Sequence, residues 1–130
     1  VILDSSAIVA ILLKEDGHDR LLKSLARADE VGVGGPTAAE TGIVLAARLG
    51  VVGRTLLARF FEEAGVEVVD CGAQHWKIAV EAYERFGKGR HPAGLNFGDC
   101  LTYAVACVTG RPLLCVGDDF PRTDVVLAAV

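Results

Sequence analysis

No stretch of about 18 apolar residues occurs in this chain, because Asp, Lys, Arg or Gly interrupts every candidate, so no membrane-spanning helix is expected. Nor is there a CxxC pair or a tight Cys/His cluster. The four cysteines (Cys71, Cys100, Cys107, Cys115) therefore read as small hydrophobes in a reducing compartment, not as a zinc site or a disulfide framework. Positive charge is also short: 13 Lys+Arg stand against 17 Asp+Glu, for a net charge of −4. Nucleic acid could then be bound only through a local basic patch, not through the overall field. Three histidines are too few and too scattered for an imidazole metal centre. No repeat, low-complexity segment or linker interrupts the 130 residues, which suit one domain, 1–130. With 52% hydrophobic and 23% charged residues, the chain has the composition of a folded protein.

What is present is an alternation of short apolar runs and helical periodicities. Val1-Ile2-Leu3 is wholly apolar, as in a strand buried on both faces. It shows no basic leader or cleavage site, and a cytoplasmic location is expected. Ala7 to Leu13 reads as a helix, and Leu21, Leu22, Leu25 and Ala26 form an apolar stripe within a second, Gly17 to Ala28. Val31-Gly32-Val33 is a weak strand, followed by helices from Pro36 to Leu49 and from Val52 to Ala64. Val66 to Val69 is the third strand. Ala73 to Phe86 reads as a helix with Trp76, Ala79, Val80 and Tyr83 turned inward, and His18 and His75 on helix surfaces. After a glycine-rich basic loop, Gly87 to Gly94, Asn96 caps a helix ending at Thr109. Leu113 to Val116 is the fourth strand, and Val125 to Leu127 a candidate fifth at an edge. Such an order predicts an α/β/α sandwich around a mostly parallel sheet of four to five strands.

In such sheets, ligands bind beyond the carboxyl ends of the strands. Asp4 follows the first strand, Asp118 and Asp119 follow the fourth, and Glu40 and Asp99 stand in first helical turns. A lone carboxylate in a first turn serves the helix dipole, worth about 0.3–1 kcal/mol. Several brought to one edge would repel unless a cation neutralised them. An all-oxygen set of this kind suits Mg²⁺ or Mn²⁺, which can polarise a phosphoryl oxygen.

Three segments carry a family likeness. Val1-Ile2-Leu3-Asp4-Ser5-Ser6-Ala7, the block Gly87 to Cys100 (GKGRHPAGLNFGDC) and Gly117-Asp118-Asp119-Phe120, with Ala39-Glu40 between, resemble PIN-domain proteins. The likeness is specifically to VapC ribonuclease toxins of toxin–antitoxin pairs. The resemblance implies a PIN-like fold and metal-dependent endoribonuclease activity, with Asp4 and Asp99 as principal metal ligands and Glu40 in the same acidic cluster. The fourth family acid falls on the Asp118–Asp119 doublet, with Asp118 slightly favoured as nearer the strand end. Ser6 resembles the small hydroxyl residue two positions after the first acid, and either orients a carboxylate or caps a helix; Asn96 shares that ambiguity. Lys88, Arg90 and His91 are read as the loop that meets RNA phosphates. A homodimer and a VapB-like antitoxin are implied partners, the antitoxin lying over an apolar groove near Val52, Phe60 and Phe61. Two alternatives stay open at this point: a haloacid-dehalogenase-like phosphatase, although Ser6 occupies its second Asp position, and a silent Mg²⁺-binding regulatory or partner-binding module.

Overall fold

The computed structural model describes residues 1–130 as four parallel strands and six helices. In chain order these are β1 (Ile2–Leu3), α1 (Ser5–Leu12), α2 (His18–Arg27), β2 (Val31–Gly34), α3 (Gly35–Leu49), α4 (Val51–Ala64), β3 (Val66–Val69), α5 (Ala73–Phe86), α6 (Phe97–Thr109) and β4 (Leu113–Leu114). The strands lie in the order β3-β2-β1-β4, all parallel, with Ile2 opposite Gly32 on one side and Leu113 on the other. The chain thus builds outward from β1 in one direction, then crosses over through α5 and α6 to lay β4 on the other flank. That reversal beside β1 leaves a crevice at the carboxyl ends of β1 and β4.

Strand alternation assigns the two faces of the sheet. Ile2 and Leu113 join the core under α5 and α6, with Ala82, Phe86, Leu95, Val105 and Phe120. Leu3 and Leu114 join the core on the opposite face, with Ile8, Leu21, Val33, Leu45, Leu57 and Phe60 from α1 to α4 and β2. β1 and its edge neighbour β4 are both fully buried on their two faces, which explains their lack of polar alternation. Close packing of α3 on α4 depends on Gly53, where a Cβ would stand 2.5 Å from the Leu45 carbonyl.

Several expectations need adjustment. The first helix starts at Ser5, because the Asp4 side chain caps it by accepting from the Ser6 N–H. Val125 to Leu127 adds no regular fifth strand: Leu127 makes an isolated bridge to Leu113, flanked by hydrogen bonds through Val126 and Ala128. On α5 the inward stripe is His75, Ala79, Ala82 and Phe86. Trp76, Val80 and Tyr83, expected inside, are exposed, and His75, expected outside, is buried. Both stripes repeat at three- to four-residue spacing, and only the packing against α6 selects between them. Of the cysteines only Cys100 is fully buried; Cys71 and Cys115 are half-buried, Cys107 is exposed, and none is paired. Phe60 belongs to the core and Phe61 is half-buried, whereas Ile43, Leu49, Val51 and Val52 leave apolar surface on α3 and α4.

Candidate active site

Three helices begin at the carboxyl edge of the sheet, and each brings an acid there. Asp4 caps α1 and Asp99 is the third residue of α6, whereas Glu40, expected in a first turn, is the sixth residue of α3, because that helix starts at Gly35. The partial positive charge at the starts of α1 and α6 offsets some of the negative charge of Asp4 and Asp99. Asp4 is 4% exposed. One of its oxygens, Oδ2, accepts from the Ser6 N–H at 3.1 Å and the Ser6 hydroxyl at 2.6 Å. The Ser6 oxygen in turn accepts from the Val116 N–H at 3.0 Å, which ties Asp4 to the segment after β4. Asn96 and Asp99 form a reciprocal box: the Asp99 N–H donates to Asn96 Oδ1, and the Asn96 N–H to Asp99 Oδ2. Asp4 and Asp99 are each held through one oxygen, and Oδ1 of each takes no protein hydrogen bond.

Burial pushes the Asp99 carboxyl up to about 6. The Asn96 N–H opposes the rise, while the charges of Asp4, Asp119 and Glu40 add to it. Cys115, half-buried just after β4, is pushed up to about 11 by burial and by Asp4, Asp99 and Asp119. Of the two acids after β4, Asp119 acts on both groups and Asp118 on neither. Of the doublet, it is thus the Asp119 charge that reaches Asp99. Gly117 (φ +102°) turns the chain after β4, and Phe120, anchored in the core, holds Asp119 from the other side.

Two further features were not legible in the sequence. The Thr37 and Thr102 hydroxyls meet at 2.9 Å in the interior, joining α3 to α6. Each lies three residues from an acid on its own helix, Glu40 or Asp99, so this bond fixes the register of the two carboxylates. At Gly98 the missing side chain leaves room for the Glu40 carboxylate, which a Cβ would strike at Oε2. The sequence carries no signal for the threonines' burial or for their pairing across 65 residues.

The donor set consists of oxygens, and none of Asp4, Glu40, Asp99, Asp118 and Asp119 is paired with a basic side chain. As arranged, no three of these acids stand close enough together to form a ligand set for a metal ion. The all-oxygen chemistry of the donors is that of a hard divalent cation. Lys88 and Arg90 are exposed on the neighbouring loop, and the Arg90 guanidinium lies 5.6 Å from the Tyr83 ring centre. His91 is half-buried; its Nδ1 accepts from the Ala93 N–H and its ring packs edge-on against Phe86. His91 thus shapes the loop from within.

Residues 1–126 match the PIN domain family. The chain belongs to that family. Among its relatives, ribonuclease VapC36 of Mycobacterium tuberculosis is 46% identical over 131 residues, covering 100% of this chain and 94% of that protein. Ribonuclease VapC of Mycolicibacterium smegmatis is 41% identical over 125 residues, covering 96% and 97%. Of solved structures, the sarcin-ricin-loop-cleaving toxin VapC20 of M. tuberculosis superposes with a TM-score of 0.79 at 20% identity, over 99% of this chain and 98% of that one. VapBC2 of Rickettsia felis, bound to a promoter DNA fragment, gives 0.75 at 16%, over 97% and 94%. This PIN domain is a VapC-type endoribonuclease of the toxin–antitoxin class, and nothing favours the phosphatase or regulatory alternatives. Members of the family generally depend on a divalent metal. None of its helices is long and apolar enough to cross a membrane.

Proposed function

We propose that Asp4, Glu40, Asp99 and Asp119 form the catalytic cluster of this PIN domain, with Asp4 and Asp99 holding Mg²⁺ or Mn²⁺. The observation that carries the reading is the convergence of these acids, without a basic partner, at the carboxyl edge of β1 and β4. When bound, the cation supplies Lewis acidity towards the scissile phosphate. The protein's own contribution is orientation. Ser6 fixes Asp4 through Oδ2, Asn96 fixes Asp99 through Oδ2, and the remaining oxygens stay available. Glu40 and Asp119 complete the anionic wall, and one of the two accepts the single proton that the attacking water gives up. Lys88 and Arg90 contact phosphates and bring the strand against the acids, while His91 holds their loop in shape.

The partners belong to the same reading: RNA as substrate, a second copy of the chain, and a VapB-like antitoxin, all in the cytoplasm. The apolar surface of Ile43, Leu49, Val51 and Val52 suits packing against an antitoxin segment. The decisive test is Asp4→Asn. The amide retains the oxygen that caps α1, so thermal unfolding should stay cooperative while RNA cleavage in Mg²⁺ or Mn²⁺ is lost. Cleavage at the parental rate would remove Asp4 from the site.

A further inference from the structure

We propose that Asp124 and Tyr103 are positioning residues for the ribonuclease reaction: together they latch the segment after β4 to α6 and so hold Asp119 at the acidic cluster. This deepens the reading above and rests on it. Asp119 is exposed, and although it stands at the start of a 3₁₀ turn (Phe120–Arg122), its side chain does not cap that turn. Its place therefore follows that of the backbone that carries it. That backbone is a self-bonded unit. The Arg122 N–H donates to the Asp119 carbonyl, the Thr123 hydroxyl to the Phe120 carbonyl at 2.7 Å, and the Val125 N–H to the Thr123 hydroxyl oxygen at 3.2 Å. Before the unit stands Gly117, in a left-handed conformation (φ +102°) with open space where a side chain would be, and the chain can pivot there.

Asp124 is where the unit is fastened to the helices. Its Oδ1 accepts from the Tyr103 hydroxyl at 2.6 Å and its Oδ2 from Arg85 Nη2 at 2.8 Å, while Arg85 Nη1 donates to the Tyr103 oxygen at 3.4 Å. The Tyr103 hydroxyl first, and then Arg85, holds the Asp124 carboxyl below its ordinary value. Tyr103 is buried on α6, one turn beyond Asp99 and so on the same side of that helix. The latch thus joins the segment bearing Asp119 to the helix bearing Asp99. Arg122 adds a second tie, to the Pro92 carbonyl at 3.2 Å, in the loop that carries Lys88 and Arg90. Global stability gains little from the ion pair, because the Arg85 and Asp124 side chains are 55% and 51% exposed. What the latch restricts is the pivot at Gly117, and with it the place where the Asp119 charge falls.

Tyr103→Phe removes the hydroxyl and keeps the buried ring, and Asp124→Ala removes both bonds. In each variant, Mn²⁺ affinity by calorimetry and kcat for RNA cleavage should each fall roughly three- to ten-fold. KM for RNA and the melting temperature should change little. The deciding measurement is the cycle with Asp119→Asn. In the Asp119→Asn protein, neither Tyr103→Phe nor Asp124→Ala should cost anything further in Mn²⁺ affinity or kcat. A merely structural role would lower both by the same factor in either background.

Equal losses in the two backgrounds would overturn the proposal, and so would Tyr103→Phe and Asp124→Ala proteins that bind Mn²⁺ and cleave as the parent does. Should Asp124→Ala fail to fold, Tyr103→Phe completes the cycle by itself. An Asp119→Asn protein with parental Mn²⁺ affinity and kcat would instead remove Asp119 from the cluster, failing the reading of the site and the proposal with it.

Discussion

Removing the charge of Asp99 should stabilise this protein when no metal is present. The ordinary carboxyl value is 3.8, and burial together with Asp4, Asp119 and Glu40 pushes the folded value up to about 6. Between those two values the folded chain binds a proton that the unfolded chain releases, so stability falls as pH rises through the interval. Below pH 4 both states are protonated and Asp99 costs nothing; above about pH 6 the cost is complete. The gap corresponds to about 3 kcal/mol as an upper bound. Solvent screening at this half-buried position reduces it to about 1–2 kcal/mol. Asp99→Asn removes the titration but keeps an oxygen for the Asn96 N–H and its own N–H for Asn96, so the helix start survives. Urea unfolding in chelator at pH 3.5, 5 and 7.5 should show parent and variant equal at the lowest pH. The variant should lead by about 1–2 kcal/mol at the highest. Adding Mg²⁺ or Mn²⁺ should then stabilise the parent by about 2.7 kcal/mol at a hundred-fold excess over Kd, and the variant far less. A variant less stable than the parent at pH 7.5 in chelator, or a lead that does not change with pH, would refute the account of a strained anionic cluster.

Gly98→Ala should displace Glu40 and raise the metal concentration needed for cleavage about ten-fold or more (a loss of at least ~1.4 kcal/mol), with only a small change in melting temperature; unchanged metal dependence would separate Glu40 from the site. Thr102→Val leaves the Thr37 hydroxyl without its partner and should cost about 1–3 kcal/mol in urea unfolding, together with a fall in kcat as the α3–α6 register loosens. Lys88→Ala with Arg90→Ala should weaken binding to all RNA sequences alike and flatten the salt dependence by roughly one unit of slope per lost phosphate contact; an unaltered slope would leave the loop an ordinary solvated one. In a toxin–antitoxin assay, an antitoxin tail bearing an Arg aimed at Asp4, Glu40 and Asp99 should lose inhibition on Arg→Ala while still binding. Full inhibition by the Arg→Ala peptide would point to steric blockage instead.

The amino-acid sequence by itself determined the alternation of elements and the acids that follow them. Val1 to Leu3 and Leu113 to Leu114 are apolar without alternation because helices cover both faces of the sheet at β1 and β4. Asn96 three residues before Asp99 specifies a helix start, and the structure closes that box with two hydrogen bonds. These are local signals, carried within a few residues of chain, and they survive any tertiary arrangement. What the tertiary structure alone decided depends on contacts between distant segments. Trp76, Val80 and Tyr83 have the periodicity of a buried stripe as plainly as His75, Ala79, Ala82 and Phe86 do. The position of α6 determines which stripe is covered. Asp118 and Asp119 are equivalent as neighbours in sequence, and only the turn at Gly117 and the anchoring of Phe120 bring the second towards Asp99. The Thr37–Thr102 bond spans 65 residues, and the room for Glu40 is a missing Cβ on another helix. Helical and strand periods fix which way a side chain points from its own element, but the partner that meets it is set by how the elements pack.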